Sequence, residues 1–164
     1  MHVRAIAAAL VLAAASDPLS AHETKKPATS ASTELAGEAA RAARVVDGFH
    51  AALGRGGGAA ALSLLSDDAL IFESGGVERG KAEYAAHHLA ADSAFAKAVP
   101  STRGKRVGRV EGDLAWIATQ GRTTGNWKGK AVDRVTTETM LLRRRGAGWA
   151  IVHIHLSSGA APEG

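Results

Sequence analysis

Up to Pro100 the apolar positions of this chain recur every three or four residues; beyond it they alternate. The first rhythm is that of amphipathic helices, the second that of strands with one buried face. Ala39, Ala42, Val45, Val46, Phe49 and Leu53 mark a first helix that begins near Leu35, and the glycine-rich run 54–58 stops it. Residues 59–65 read as a short second helix. Asp67 and Asp68 then turn the chain into a strand over residues 69–73, closed by the turn Ser74-Gly75-Gly76. Residues 81–99 read as one long third helix. Tyr84, His88, Ala91, Phe95 and Val99 fall on one arc of it, and Asp92 lies one turn beyond His88.

After Pro100 the alternation predicts four strands, over residues 102–111, 114–124, 131–144 and 148–158. Gly112-Asp113 makes the first hairpin turn and residues 125–130 form a loop. The last strand is occupied on both faces. Ala150, Val152, Ile154 and Leu156 make one wholly apolar face; Trp149, Ile151, His153, His155 and Ser157 make one that turns polar. The first predicts contact with the helices. The second asks for a partner subunit, a ligand or a metal. Three helices followed by an antiparallel meander predict an α+β fold, with helices on one face of the sheet and the other face free for solvent or a partner.

The N-terminus changes the expected location. Arg4, an apolar run over residues 5–15 and the small-residue site Leu19-Ser20-Ala21 predict a secretory signal peptide over residues 1–21. The run is too short to span a bilayer, which takes about 20 helical residues. A periplasmic or secreted protein, free of the membrane after cleavage, is therefore expected. Residues 22–34 are polar and poor in bulky groups, the composition of a disordered linker. Residues 35–160 form the expected domain.

Composition narrows the chemistry. The 164 residues include no cysteine, which excludes disulfides, thiolate metal sites and a cysteine nucleophile. Residues 101–145 carry eleven Lys and Arg against four Asp and Glu. Nucleic acid is nonetheless not an expected partner, because three scattered tryptophans make no stacking platform. No cofactor signature is present. The run Gly54-Arg55-Gly56-Gly57-Gly58 follows a helix rather than a strand and lacks the lysine of a phosphate-binding loop. No Gly-x-Ser-x-Gly elbow occurs.

Val46-x-x-Phe49-His50-x-x-Leu53, Ala61-Leu62 with Asp67-Asp68, Phe72, and Gly148-Trp149 continuing to His153, His155 and Ser157 resemble the SnoaL-like, DUF4440-type group of the NTF2-like superfamily. They are also similar to the association domain of calcium/calmodulin-dependent kinases. The resemblance covers roughly residues 38–160 and implies a curved sheet wrapped around helices as a cone with one open mouth, and a homodimer through the sheets. The superfamily hosts isomerases, cyclases, dehydratases and non-catalytic binders, so the fold alone does not fix the reaction. The pocket arginines of the kinase domain would align with Gln120, Met140 and Leu156, none of which is arginine.

Three constellations carry candidate chemistry. His88 with Asp92 and Tyr84 makes a general acid/base group, since a carboxylate beside an imidazole fixes its tautomer. Glu138 with Gln120 puts an acid and an amide on central strands; the alternative for Glu138 is a structural ion pair with Arg122 or Arg134. His153 and His155, two residues apart on a strand, point the same way and would hold a metal if His50, His87 or Glu73 converged on them; without that, no metal is expected. The ligand-binding set is Phe72, Tyr84, His88, Gln120, Trp127, Glu138 and Met140. Three functional readings follow. The first is binding of a small, partly apolar molecule in the cone. The second is an isomerase-, cyclase- or dehydratase-type enzyme using His88–Asp92 as base and Tyr84 or Glu138 as acid. The third is a non-catalytic assembly domain.

Overall fold

The computed structural model describes residues 35–162; the expected signal peptide and linker lie outside the described residues. The elements in chain order are α1 (Gly37–Gly54), α2 (Gly58–Ser63), β1 (Leu65–Glu73), β2 (Gly76–Arg79), α3 (Lys81–His87), α4 (Leu89–Ala98), β3 (Ser101–Glu111), β4 (Leu114–Trp127), β5 (Lys130–Arg145) and β6 (Gly148–Ala160). This is the expected α+β cone: helices packed against one face of a curved six-stranded sheet of order β2-β1-β6-β5-β4-β3. β3 to β6 form the antiparallel meander, and β6 closes back alongside β1, parallel to it.

The three- and four-residue spacing of α1 buries Ala42, Ala43, Val46, Phe49, Ala52 and Leu53. Strand register then sorts the inner face of the sheet into rows. Val110, Ala115, Leu142, Ile151 and Leu65 form the first. Gly108, Ile117, Met140, Ile154 and Ile71 form the second. Leu65, Ile117, Met140, Leu142 and Ile151 are among the largest fully buried side chains, so these two rows are the core. The third row, Arg106, Thr119, Glu138, Leu156 and Glu73, turns polar. Core gives way to cavity between the second row and the third.

Gly108 leaves no room for a side chain between β3 and β4. A Cβ there would stand 2.6 Å from Cδ1 of Ile117 and 2.8 Å from the carbonyl oxygen of Trp116. The backbone oxygen cannot move without its strand. Gly108→Ala should therefore lower stability by about 1–3 kcal/mol, the usual cost of overpacking. Urea unfolding checks this, and an unchanged midpoint would mean that β3 shifts freely.

Besides the start of β1 at Leu65, which puts Asp67 and Asp68 inside the strand rather than before it, four local expectations need correction. The long third helix is two: α3 ends at His87, His88 has non-ideal dihedrals (φ −114°, ψ −35°), and α4 resumes at Leu89. The turn after β1 is a hairpin whose return strand, β2, went unread because it has only four residues. β2 passes into α3 through Gly80, whose φ of 152° suits glycine alone. β4 and β5 also extend into the expected loop, which shrinks to a tight turn at Lys128-Gly129.

The fourth correction concerns β6. Its pairing with β5 steps from Leu142↔Ile151 to Leu141↔His153, leaving Val152 as an extra residue. A bulge of this kind exchanges the two faces of a strand. Before it, Trp149 and Ile151 point inward; after it, Ile154 and Leu156 do. Ala150 and Val152 instead sit with Asp67, Asp68 and Arg143. The two imidazoles do face away from the helices, packing against Phe72. A second irregularity, between Arg103 and Arg106, bends the edge strand β3.

Candidate functional site

The polar rows of the sheet, with α1, α3 and α4, enclose a cavity of about 530 Å³. α1 contributes Phe49 and His50, α3 Tyr84, α4 Asp92 and Phe95, β1 Ile71 and Glu73, and β6 Ile154 and Leu156. Glu138 on β5 and Arg106 on β3 complete the ring. One part of the wall is apolar; the other bears titratable groups.

His50 follows Phe49 on α1, one step off the buried arc, so its ring reaches the cavity flank. Its Nε2 lies 2.8 Å from Oε2 of Glu138. Glu138 is only 7% exposed. The His50 side chain is 48% accessible, and it lines the cavity. Desolvation in the cavity wall disfavours charge on His50, but the hydrogen bond and negative charge of Glu138 outweigh it, and the imidazole pKa is raised. A raised folded-state pKa stabilises the fold fully below the ordinary value of 6.5, and the contribution is lost as pH climbs through the raised value. Wild type should therefore lose its stability advantage over His50→Gln as pH rises from 6 towards alkaline. Urea midpoints across that range check this; a constant difference would contradict the charged pair.

Tyr84 and Asp92 are eight residues apart, close to two helical turns. The break at His88 keeps them on one side, and Tyr84 Oη donates to Oδ2 of Asp92 at 2.9 Å. Burial raises the Asp92 pKa above the ordinary carboxylate range; the Tyr84 hydrogen bond and nearby His88 oppose this, and the charge of Glu78 adds to it. Burial, then the charge and hydrogen bond of Asp92, push the Tyr84 phenol upward. Glu73 is raised as well, by burial and by the charges of Asp92 and Glu138, with His88 opposing.

The basic side of the cavity is tied down. Arg103 and Arg106 both donate to Oδ1 of Asp47, at 2.6 and 2.8 Å. Nε of Arg106 also donates to Thr119 Oγ1 at 2.9 Å, and Nε of Arg134 to Ser158 Oγ at 3.0 Å. The two guanidiniums on Asp47 hold its carboxyl below the usual range, against the effect of burial. Positive charge thus reaches the cavity from positions other than Gln120, Met140 and Leu156.

Tyr84, Asp92 and Glu138 come together at the cavity. His88 does not join them. Its side chain is 53% exposed, and Nδ1 bonds Glu78 rather than Asp92, because the helix break turns it outward. Glu138 pairs with His50, while Arg122 takes Asp133. Gln120 and Phe72 lie on the outer face, since their neighbours Thr119 and Glu73 point in. Met140 is one row below the cavity, fully buried. Trp127 packs edge-on against Phe95, with ring centroids 5.5 Å apart. His153 and His155 lie with ring centroids 6.4 Å apart on the outer face, whereas His50 and Glu73 line the cavity and His87 sits beside Glu78. No third ligand converges on that pair among the described residues. His50 and Glu73 as cavity groups escaped the sequence pattern, although Glu73 lies two residues from buried Ile71 on one strand and so shares its face, a readable signal.

Helices capped by a curved sheet, with a polar cavity at the open end, define an NTF2-like cone. The chain belongs to the SnoaL-like domain family, which matches residues 43–161. It is similar to a Shewanella frigidimarina protein provisionally assigned as a ketosteroid isomerase: 37% identity over 71% of this chain and 94% of that one, TM-score 0.69. An NTF2-like protein of Streptomyces avermitilis, provisionally a dehydratase, shares 19% identity over 75% of this chain and 96% of its own, TM-score 0.66. A Xanthomonas campestris protein, provisionally a calcium/calmodulin-dependent protein kinase II association domain, shares 24% over 78% and 91%, TM-score 0.64. At these lower identities the last two show the common fold alone. No curated protein sequence matches the chain.

Proposed function

We propose that the protein binds a small, partly apolar carbonyl compound in the cone and moves a proton on it, as an isomerase or dehydratase does. The observation that carries this is the convergence of Asp92, Glu73, Tyr84 and the His50–Glu138 pair on one open cavity with an apolar wall. A pure assembly domain would have that space filled, and a simple binder needs no such gathering of titratable groups. The isomerase assignment of the 37% identical Shewanella protein agrees with this class.

In this reading Asp92 takes the proton from the carbon next to the carbonyl, and Tyr84 orients the carboxylate through its hydrogen bond. His50, charged and held by Glu138, donates to the oxygen on which negative charge develops. Returning the proton to a different carbon gives an isomer; expelling a hydroxyl as water gives a dehydrated product. Glu73 stands beside Asp92 as a second acid. The test is proton–deuterium exchange in D2O across a panel of apolar ketones, followed by NMR. Exchange at the position next to the carbonyl supports the reading. Binding without exchange returns the site to a ligand-binding role, and neither would overturn both.

The protein is further proposed to be exported, periplasmic or secreted, and to act as a homodimer. The predicted signal peptide motivates the first: a mature mass that still contains residues 1–21 would sink it. The outer sheet face motivates the second, since one row across all six strands is Val107, Ala118, Thr139, His155, Phe72 and Val77. Val107 and Val77 are exposed apolar groups there, as Leu70, Leu114 and Val135 are elsewhere. Sedimentation of wild type as a monomer would remove this proposal.

A further inference from the structure

Away from the cavity, the corner between β2 and α3 gathers a different set of side chains. Glu83 and His87 are four residues apart on α3 and so share one of its faces. Glu78 comes from β2, and the glycine turn at Gly80 folds α3 back over it. One donor atom from each of Glu78, Glu83 and His87 lies within 4.8 Å of the other two. Ligands of one tetrahedral ion, at about 2.0–2.2 Å from it, stand about 3.3–3.6 Å apart. Rotation of the exposed His87 and half-buried Glu83 side chains towards the buried Glu78 closes the difference.

The charges here lack a fixed counterpart. Glu78 is 5% exposed, yet its ion-pair partners among the described residues are the imidazoles of His87 and His88, not a lysine or arginine. A side-chain oxygen of Glu83 accepts the backbone N–H of Arg79. Nδ1 of His88 takes the other oxygen of Glu78, which orients that carboxylate as an outer partner orients a metal ligand. The side chain of His87 is 61% accessible, so an ion can enter without unfolding.

We propose that Glu78, Glu83 and His87 form a binding site for one divalent transition-metal ion of the zinc class, with His88 positioning Glu78 and the remaining coordination place open to water. Two oxygens and one imidazole nitrogen suit such an ion better than calcium or magnesium, which take oxygen ligands alone. Glu78, Glu83 and His87 do not line the cavity, and the proposal does not rest on the reaction proposed there.

Zinc chloride titrated into the whole protein, freed of any histidine tag, tests this by calorimetry and native mass spectrometry. One ion per chain is expected. Glu83→Gln and His87→Ala, both on accessible side chains and so compatible with folding, should each weaken binding about tenfold or more. Cobalt in place of zinc should give a visible absorption band that His87→Ala removes. His153→Ala with His155→Ala should change neither result. Absence of binding, binding that survives His87→Ala, or binding lost with the outer-face pair would each overturn the proposal.

Discussion

Asp92→Asn should slow proton exchange on a bound ketone by about a hundredfold or more, the usual contribution of a positioned general base. Asparagine is nearly isosteric and can still accept from Tyr84, so circular dichroism should be unchanged. The pH profile carries more information than the rate alone. On the proposed mechanism, activity requires Asp92 ionised and His50 charged. It should therefore rise through an acid limb set by the elevated Asp92 and fall through a basic limb set by the elevated His50. Tyr84→Phe separates positioning from bulk packing. The Tyr84 hydrogen bond lowers the Asp92 pKa, so losing it should move the acid limb to higher pH. A Tyr84→Phe profile that loses height without moving would mean that the phenol only fills space.

Leu142→Ala should cost about 3 kcal/mol, within the range for buried Leu truncations, and lower the melting temperature by about 10 °C for a domain of this size. Leu142 is fully buried and paired with Ala115 and Ile151 in the first apolar row of the sheet. It has strands on both sides and the helices above it, so the surroundings cannot collapse to fill the space. Thermal melts check this. A loss under about 1 kcal/mol would mean that the closed end of the cone is loosely packed.

Much of the fold was legible because its signals are periodic. The arc of α1 and the alternation after Pro100 each repeat for enough residues to outweigh local noise. What escaped was aperiodic. A single extra residue at Val152 exchanges the faces of β6, and no pattern of apolar residues announces it. The break at His88 has no proline or glycine to mark it; both imidazoles there turn to Glu78, a residue on another element. The site suffered most from distance in sequence. Tyr84 and Asp92 are close neighbours along the chain and were found together, but their third expected member, His88, points elsewhere. The partner of Glu138 is His50 on α1, and only the sheet register and the helix above it bring that pair together. Local spacing cannot choose such a partner among several candidates.

β3 is an outermost strand of the sheet, and such a strand offers unpaired backbone groups to any other extended chain. Here it carries Lys105 and Arg109 at exposed positions, and its ladder is interrupted between Arg103 and Arg106. A second molecule approaching side by side meets like charge and a bend that spoils the match. Growth into fibrils is thereby discouraged, and copies that associate are steered to meet broadside. Substituting Lys105 and Arg109 by threonine would strip that guard, and the first sign would be clouding of concentrated solutions rather than any change in the folded monomer.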